Sequence, residues 1–304
     1  MERALTSIVV TTRNRERFLA EAVASVCNQT CRDWELIVVD DASDDGTWAW
    51  LQSVQCERIR VFRQPILGRI PQTRNMGLRY ARGEFVMFLD DDDRLRRGAL
   101  SKLLAPLLED DRPVAAVGAV WRFVEWGDGI RIHHTARPAT RIAWPDLLFA
   151  WSAVSGQNLY RTEIVRSVGG VPDIPLVEDR AMWLQIARRG PVAFVPDIVL
   201  EYRAHGEQSP KPPNIQDVRE QLFEDFIRSL PAAEQPSGRR IRASARWAAE
   251  ADAAFAGKKY AQAFRRYIRA LCAAPSLARS PLVGPPLWWG AKKSIYRIAG
   301  IQGG

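Results

Sequence analysis

Phe85-Val86-Met87-Phe88-Leu89 runs straight into Asp90-Asp91-Asp92-Asp93. The five apolar residues read as a strand buried on both faces, of the kind found in the middle of a parallel sheet. The acids then emerge at the strand's carboxyl end, where open α/β sheets place their ligands. Four adjacent like charges repel one another and cannot sit unpaired in a core, so something positive must offset them. A hard divalent cation carrying a diphosphate meets that need, because Mg²⁺ and Mn²⁺ favour oxygen ligands. The bland alternative is a solvated acidic turn, but few such turns follow so apolar a strand.

The chain before this point alternates strand and helix. Ser7 to Thr11, Glu35 to Val39 and Ile59 to Phe62 read as strands. Arg17 to Asn28 carries Phe18, Leu19, Ala22, Val23 and Val26 at helical spacing, and Asp45 to Val54 and Gln72 to Ala81 read as further helices. This alternation predicts a mostly parallel sheet covered by helices. Three polar turns then share one sheet edge: Thr11-Thr12-Arg13-Asn14-Arg15, Asp40 to Thr47, and the four aspartates. Singly each is a cap or a loop. Together they make a nucleotide cleft, in which Asp40 and Asp41 accept hydrogen bonds from a base or ribose and Arg13 and Arg15 face phosphate. No Gly-Lys-Ser/Thr loop and no Gly-x-Gly-x-x-Gly follows the first strand, so phosphate falls to metal and arginine.

Bulk properties exclude some classes. The four cysteines (Cys27, Cys31, Cys56, Cys272) form no metal-ligand pattern and read as reduced thiols in a cytosolic protein. No signal peptide is read at the N-terminus, and no apolar run approaches the ~20 residues of a membrane span. The net charge of +8 admits nucleic acid, anionic lipid or phosphorylated substrates without choosing among them.

Several segments together resemble the family 2 glycosyltransferases of GT-A fold. They are Val9 to Arg15, Ser25-Val26-Cys27-Asn28-Gln29-Thr30, Val38 to Thr47, Arg74-Asn75-Met76-Gly77 with Ala81-Arg82-Gly83-Glu84, Phe88 to Asp93, Glu178-Asp179 with Trp183-Leu184, and Tyr202-Arg203-Ala204-His205. Each is weak alone; their order and spacing are specific, and they cover roughly residues 5 to 205. Arg13 departs from the pattern, which usually has Tyr before the Asn.

The resemblance implies these roles. Thr11, Arg15 and Asp41 contact the uracil or ribose of a nucleotide-sugar donor. Arg69, or alternatively Arg74, helps hold the nucleotide. Asp90 and Asp92 form the Asp-x-Asp pair, with Asp92 the direct ligand of Mn²⁺ or Mg²⁺, and Asp91 contacts ribose. His205 is a third ligand or a diphosphate contact, or else only pins its loop. Asp179 is the catalytic base, with Glu178 beside it turned toward structure or the acceptor.

Physical chemistry supports the last assignment. Displacing a nucleoside diphosphate from an anomeric carbon builds negative charge that a divalent cation stabilises, and the acceptor hydroxyl needs a base on the opposite face. Glu178 and Asp179 head a predicted helix, Arg180 to Arg189, where acids also serve as plain caps. On the acceptor side, Val114 to Val120 reads as a strand, and Gly127-Asp128-Gly129 as the turn of a hairpin. Trp121, Trp126, Trp144, Trp151 and Trp183 are candidate sugar platforms, most of them expected in the core. Trp151, Trp183 and Gln157 are the acceptor candidates carried forward.

The chain splits into a catalytic domain, 1–213 (nucleotide half 1–93, acceptor half 94–213), and a helical extension, 214–304. In the extension, Pro231 to Gly238 reads as a linker, and Trp247 to Pro275 as a helical pair near tetratricopeptide spacing. A lone pair must pack on the catalytic domain or on a second subunit, which would make a homodimer. The tail holds Trp288, Trp289, Lys292 and Lys293, which suits either an interfacial membrane helix or a helix docked on the body. The resulting expectation is an inverting, metal-dependent glycosyltransferase. It takes a UDP-sugar and a saccharide or lipid-linked saccharide acceptor, binds no nucleic acid, and works in the cytoplasm or on the inner face of a bacterial membrane. The rivals are a sugar nucleotidyltransferase and a scaffold with a vestigial cleft.

Overall fold

The computed structural model describes residues 5–126, 129–135, 140–148, 155–174, 176–206, 213–275 and 284–298. They form two compact units: 1–141 with 152–213, and 142–151 with 214–304.

The first unit opens with β1 (Thr6–Thr12), α1 (Glu16–Cys27), β2 (Trp34–Asp40), α2 (Thr47–Ser53), β3 (Ile59–Arg63), α3 (Ile70–Tyr80) and β4 (Phe85–Asp90). Every element expected before residue 90 is present, with shifted ends. α2 starts at Thr47: Asp45 stays outside the helix and accepts the Thr47 N–H at 2.9 Å. β1 pairs in parallel with β2 and with β4, so Thr11 stands opposite both Val39 and Asp90. Phe85 to Leu89 are all buried, at most 4% exposed, as their uninterrupted apolar run requires.

β5 (Arg94–Leu95), α4 (Ala99–Glu109), β6 (Ala115–Trp126), β7 (Gly129–Thr135), β8 (Thr140–Ile142), β9 (Asn158–Arg161), α5 (Thr162–Ser167), α6 (Glu178–Ala187) and β10 (Val192–Ala204) follow. The sheet runs β3-β2-β1-β4-β9-β6-β10-β5, with β7 on β6 and β8 on β10. β6 and β7 form the expected hairpin, Trp126 opposite Gly129, with its turn residues 127 and 128 outside the described residues. β10 is long but hard to read in sequence, because its register with β6 shifts between Phe194 and Leu200, around Pro196 and Asp197. Its antiparallel pairing with β5 sets Leu200 opposite Leu95 and Glu201 opposite Arg94. That pairing returns the end of β10 to the aspartates just before β5.

The second unit holds α7 (Ile215–Ser229), α8 (Gln235–Ala256), α9 (Tyr260–Ala273) and α10 (Gly284–Ile298). The second half of the linker read at 231–238 is helix, since α8 begins at Gln235 with a proline in its first turn, where no N–H is missed. Ala251, Ala254, Ala263 and Ala270 are buried along α8 and α9, and Ser244 Oγ donates to the Ala270 carbonyl at 2.7 Å. α10 packs on α9 through buried Ala291 and Ser294. A Cβ on Gly290 would stand 2.4 Å from the Tyr267 ring. The helical pair thus finds cover inside its own unit, from α10, where the sequence implied the catalytic domain or a second subunit.

Candidate active site

The carboxyl ends of β1, β2 and β4 meet as parallel pairing dictates, and the four aspartates are offset by the protein's own cations. Arg74, on α3, donates to Asp90 Oδ1 at 2.7 Å and to Ser155 Oγ at 2.9 Å, and stands 3.6 Å from Glu178 Oε1. Arg15 bridges Asp91 Oδ1 at 3.1 Å and Asp92 Oδ2 at 2.9 Å. The Arg203 backbone N–H donates to Asp93 Oδ1 at 2.8 Å, and its guanidinium to the Asp92 carbonyl at 2.9 Å and to Glu21. A bound cation is therefore not the sole means of neutralising the cluster, as the sequence alone implied.

Asp91 is buried and accepts from Thr12 Oγ1 at 2.7 Å. Burial lifts its carboxyl to about 6, with Arg15 and Thr12 pulling the other way. Burial also raises Asp93 well above the carboxylate range, and its Oδ2 has no polar partner among the described residues. Asp90, Asp92 and Asp93 can each turn one oxygen to within 4.8 Å of the others. His205 Nε2 stands 3.0 Å from Asp92 Oδ2, its ring against Phe18. Three carboxylates at this spacing, with an imidazole beside Asp92, fit a hard divalent ion.

Glu178 and Asp179 open α6 as expected. Asp179 is pushed up to about 6, first by burial, then by its neighbour Glu178, against the pull of Arg74. It lines a narrow crevice with Arg74, Phe88, Ser155, Tyr160 and Met182. Gly156 forms part of the same wall at φ +76°, where a Cβ would lie 2.6 Å from Leu200 and 2.8 Å from Leu89.

The other sequence candidates divide. Asp41 Oδ1 receives the Gly68 N–H at 2.8 Å and Gln64 Nε2 at 2.9 Å, holding the loop before α3 against the cleft. Asp40 is fully buried on Arg63 and the Ser43 N–H, so it supports the fold and cannot reach a ligand. Arg13 is exposed, and Thr11 sits beside Asp90 in register. Arg69 caps α3 and pairs with Asp173 at 2.5 Å, tying the loop before α3 to the segment leading into α6.

Two acceptor candidates are corrected. Trp183 is 0% exposed and offers no ring face to a sugar, because the inner face of α6 needs its volume for the core. Gln157 is buried and donates to the Gly118 carbonyl at 2.6 Å. Trp151 lies outside the described residues. Thr12, Glu21 and Arg203 join the site without having been assigned roles, and Ser155, read as lining the acceptor side, meets Arg74 there. For Arg203 the one available signal was its place beside His205.

The Glycosyl transferase family 2 pattern matches residues 7–169, more than half of the chain, and takes in β1 to β4 and the aspartates. This chain belongs to glycosyl transferase family 2. Among the relatives of this family 2 chain is the GalNAc(5)-diNAcBac-PP-undecaprenol beta-1,3-glucosyltransferase of Campylobacter jejuni. It is 45% identical over 101 residues, 32% of this chain and 33% of that protein. Another is the UDP-Glc:alpha-D-GlcNAc-diphosphoundecaprenol beta-1,3-glucosyltransferase WfgD of Escherichia coli, 32% identical over 111 residues, 36% of this chain and 45% of that one. The first match thus spans about a third of the relative's length. In fold, the chain is similar to S. aureus TarS 1-349, solved in complex with UDP-GlcNAc. The TM-score is 0.64 at 18% identity, covering 96% of this chain and 88% of that one.

Proposed function

We propose that this family 2 enzyme is an inverting glycosyltransferase that moves a sugar from a UDP-sugar to a hydroxyl of a lipid-linked saccharide, in assembly of a bacterial surface glycan. The observation that carries the reading is the position of Arg74, which joins Asp90 of the acidic cluster to Glu178, the neighbour of Asp179. Leaving-group and nucleophile machinery thus flank one rigid side chain. The lipid-linked acceptor and the glycan setting rest on what the C. jejuni and E. coli relatives act on.

Asp90, Asp92 and His205 would hold Mn²⁺ or Mg²⁺, with Asp93 behind them. Such an ion, when bound, offsets charge on a departing diphosphate. Asp91, Asp41 and Thr11 would face the nucleoside, and Arg15, Arg13 and Arg69 the phosphates. Asp179 takes the proton of the acceptor hydroxyl. That oxygen bonds to the anomeric carbon as the bond from the same carbon to the diphosphate oxygen breaks, so the configuration inverts and UDP leaves. The raised Asp179 carboxyl suits a base working near neutrality.

Calorimetric titration of UDP and GDP, with and without Mn²⁺, tests the donor site. Metal-dependent UDP binding is expected, followed by turnover of one UDP-sugar on a diphospholipid-linked saccharide. Failure of both nucleotides to bind under any condition would overturn the reading in favour of a scaffold.

A further inference from the structure

The charge of +8 is not spread along the chain. Residues 1–213 hold 28 Lys and Arg against 28 Asp and Glu, whereas residues 214–304 hold 15 against 7. Beyond Asp252 there are 9 basic residues and no acid. The part of the chain with the nucleotide-type cleft is therefore neutral overall.

The excess sits on the last two helices and the turn before them. Lys258, Lys259, Arg265 and Arg269 are exposed at and along α9, as are Lys292, Lys293 and Arg297 on α10. α10 buries Ala291 and Ser294 against α9, yet Ile295 and Ile298, one turn further on the same side, remain 47% and 54% exposed. Branched aliphatics left open on a cationic helix suit a boundary between water and lipid, where cations meet anionic headgroups and aliphatic tips enter the acyl region. Among the described residues no helix is long and apolar enough to cross a membrane.

We propose that the α9–α10 layer docks on the surface of an anionic lipid bilayer. Charge complementarity selects the occupant: a stretch whose charged residues are all cations calls for a dense anionic partner. The two open isoleucines select lipid over nucleic acid, whose single strands are gripped by interleaved aromatic rings. The inference does not depend on the identity of the donor or acceptor.

The test is cosedimentation of the full chain with vesicles of mixed phosphatidylglycerol and phosphatidylcholine, against phosphatidylcholine alone. Binding to the anionic vesicles only is expected, weakening as NaCl rises from about 0.1 to about 0.5 M. The triple variant Lys292→Glu, Lys293→Glu, Arg297→Glu should bind about 100-fold more weakly. Ile295→Ser with Ile298→Ser should lose about tenfold at unchanged charge. Reversing Arg32, Arg79 and Arg97, exposed cations of the first unit, should leave binding close to wild type. Circular dichroism checks that each variant is folded, and Lys292→Gln with Lys293→Gln serves as the milder pair. Equal binding to neutral vesicles, no binding to either, or wild-type binding by the reversed triple overturns the proposal. So does tighter binding to a single-stranded oligonucleotide at the same salt, or self-association that the same triple abolishes.

Discussion

His205 Nε2 lies 3.0 Å from Asp92 Oδ2, although 113 positions separate the two residues. The contact exists because β10 returns antiparallel to β5, one residue past the aspartates. Asp92→Ala should abolish metal-dependent UDP binding. His205→Ala should weaken Mn²⁺-dependent binding about 10- to 100-fold. Calorimetry measures both, and a His205→Ala protein with unchanged Mn²⁺ dependence would reduce the histidine to a loop anchor.

Asp179→Asn should lower kcat by about 10²- to 10⁴-fold while leaving UDP affinity near wild type. The base must be ionised, so wild-type kcat should rise with pH and level off above about 6. A flat profile between pH 5 and pH 8 would count against Asp179 as the base.

The same group has a stability signature. Its folded carboxyl is raised from 3.8 to about 6, so the folded state binds the proton more tightly than the unfolded chain does. That contribution is complete below about 4 and is lost as pH rises through about 6. Asp179→Asn should therefore stabilise the protein at pH 8, by at most about 3 kcal/mol, with little change at pH 4. Thermal melts at the two pH values check it.

Arg74→Ala leaves Asp90 and Glu178 without their shared cation in a largely buried setting. It should cost about 3–5 kcal/mol and push the pH–rate profile of any residual activity upward, since Arg74 pulls Asp179 down. Arg74→Lys should restore part of the stability. Urea melts and a pH–rate series separate the two effects.

Gly156→Ala should destabilise by about 3 kcal/mol, because the position combines φ +76° with leucine methyls where the Cβ would go. A variant melting as wild type would show that Leu89 and Leu200 can move aside.

The strands β1 to β4 and their parallel setting were legible because each strand is a short apolar run ending in a polar turn and helices alternate with them, whereas their order in the sheet came from the structure. Parallel pairing then sends every turn to one edge, so Asp41, Asp90 to Asp93 and Arg15 could be named as one cleft from local pattern alone. Glu178 and Asp179 were legible as acids at a helix head. The apolar patterns also located α9, but not the start of α8, since its proline looked like a linker.

Tertiary structure decided which charge meets which. Arg15, Arg74 and Arg203 come from α1's entry, α3 and β10, and their pairing with particular aspartates depends on register and crossover, not on any local period. Asp40 and Asp41 are adjacent and chemically identical, yet β2 ends at Asp40, which is buried on Arg63, and Asp41 just past the strand stays at the cleft. Trp183 was a plausible sugar platform until the burial of α6 placed it in the core. Sequence could list the cations and acids of this protein. Only the packing of strands distant in the chain could set their distances, and at separations of about 3 Å distance decides what charged groups do.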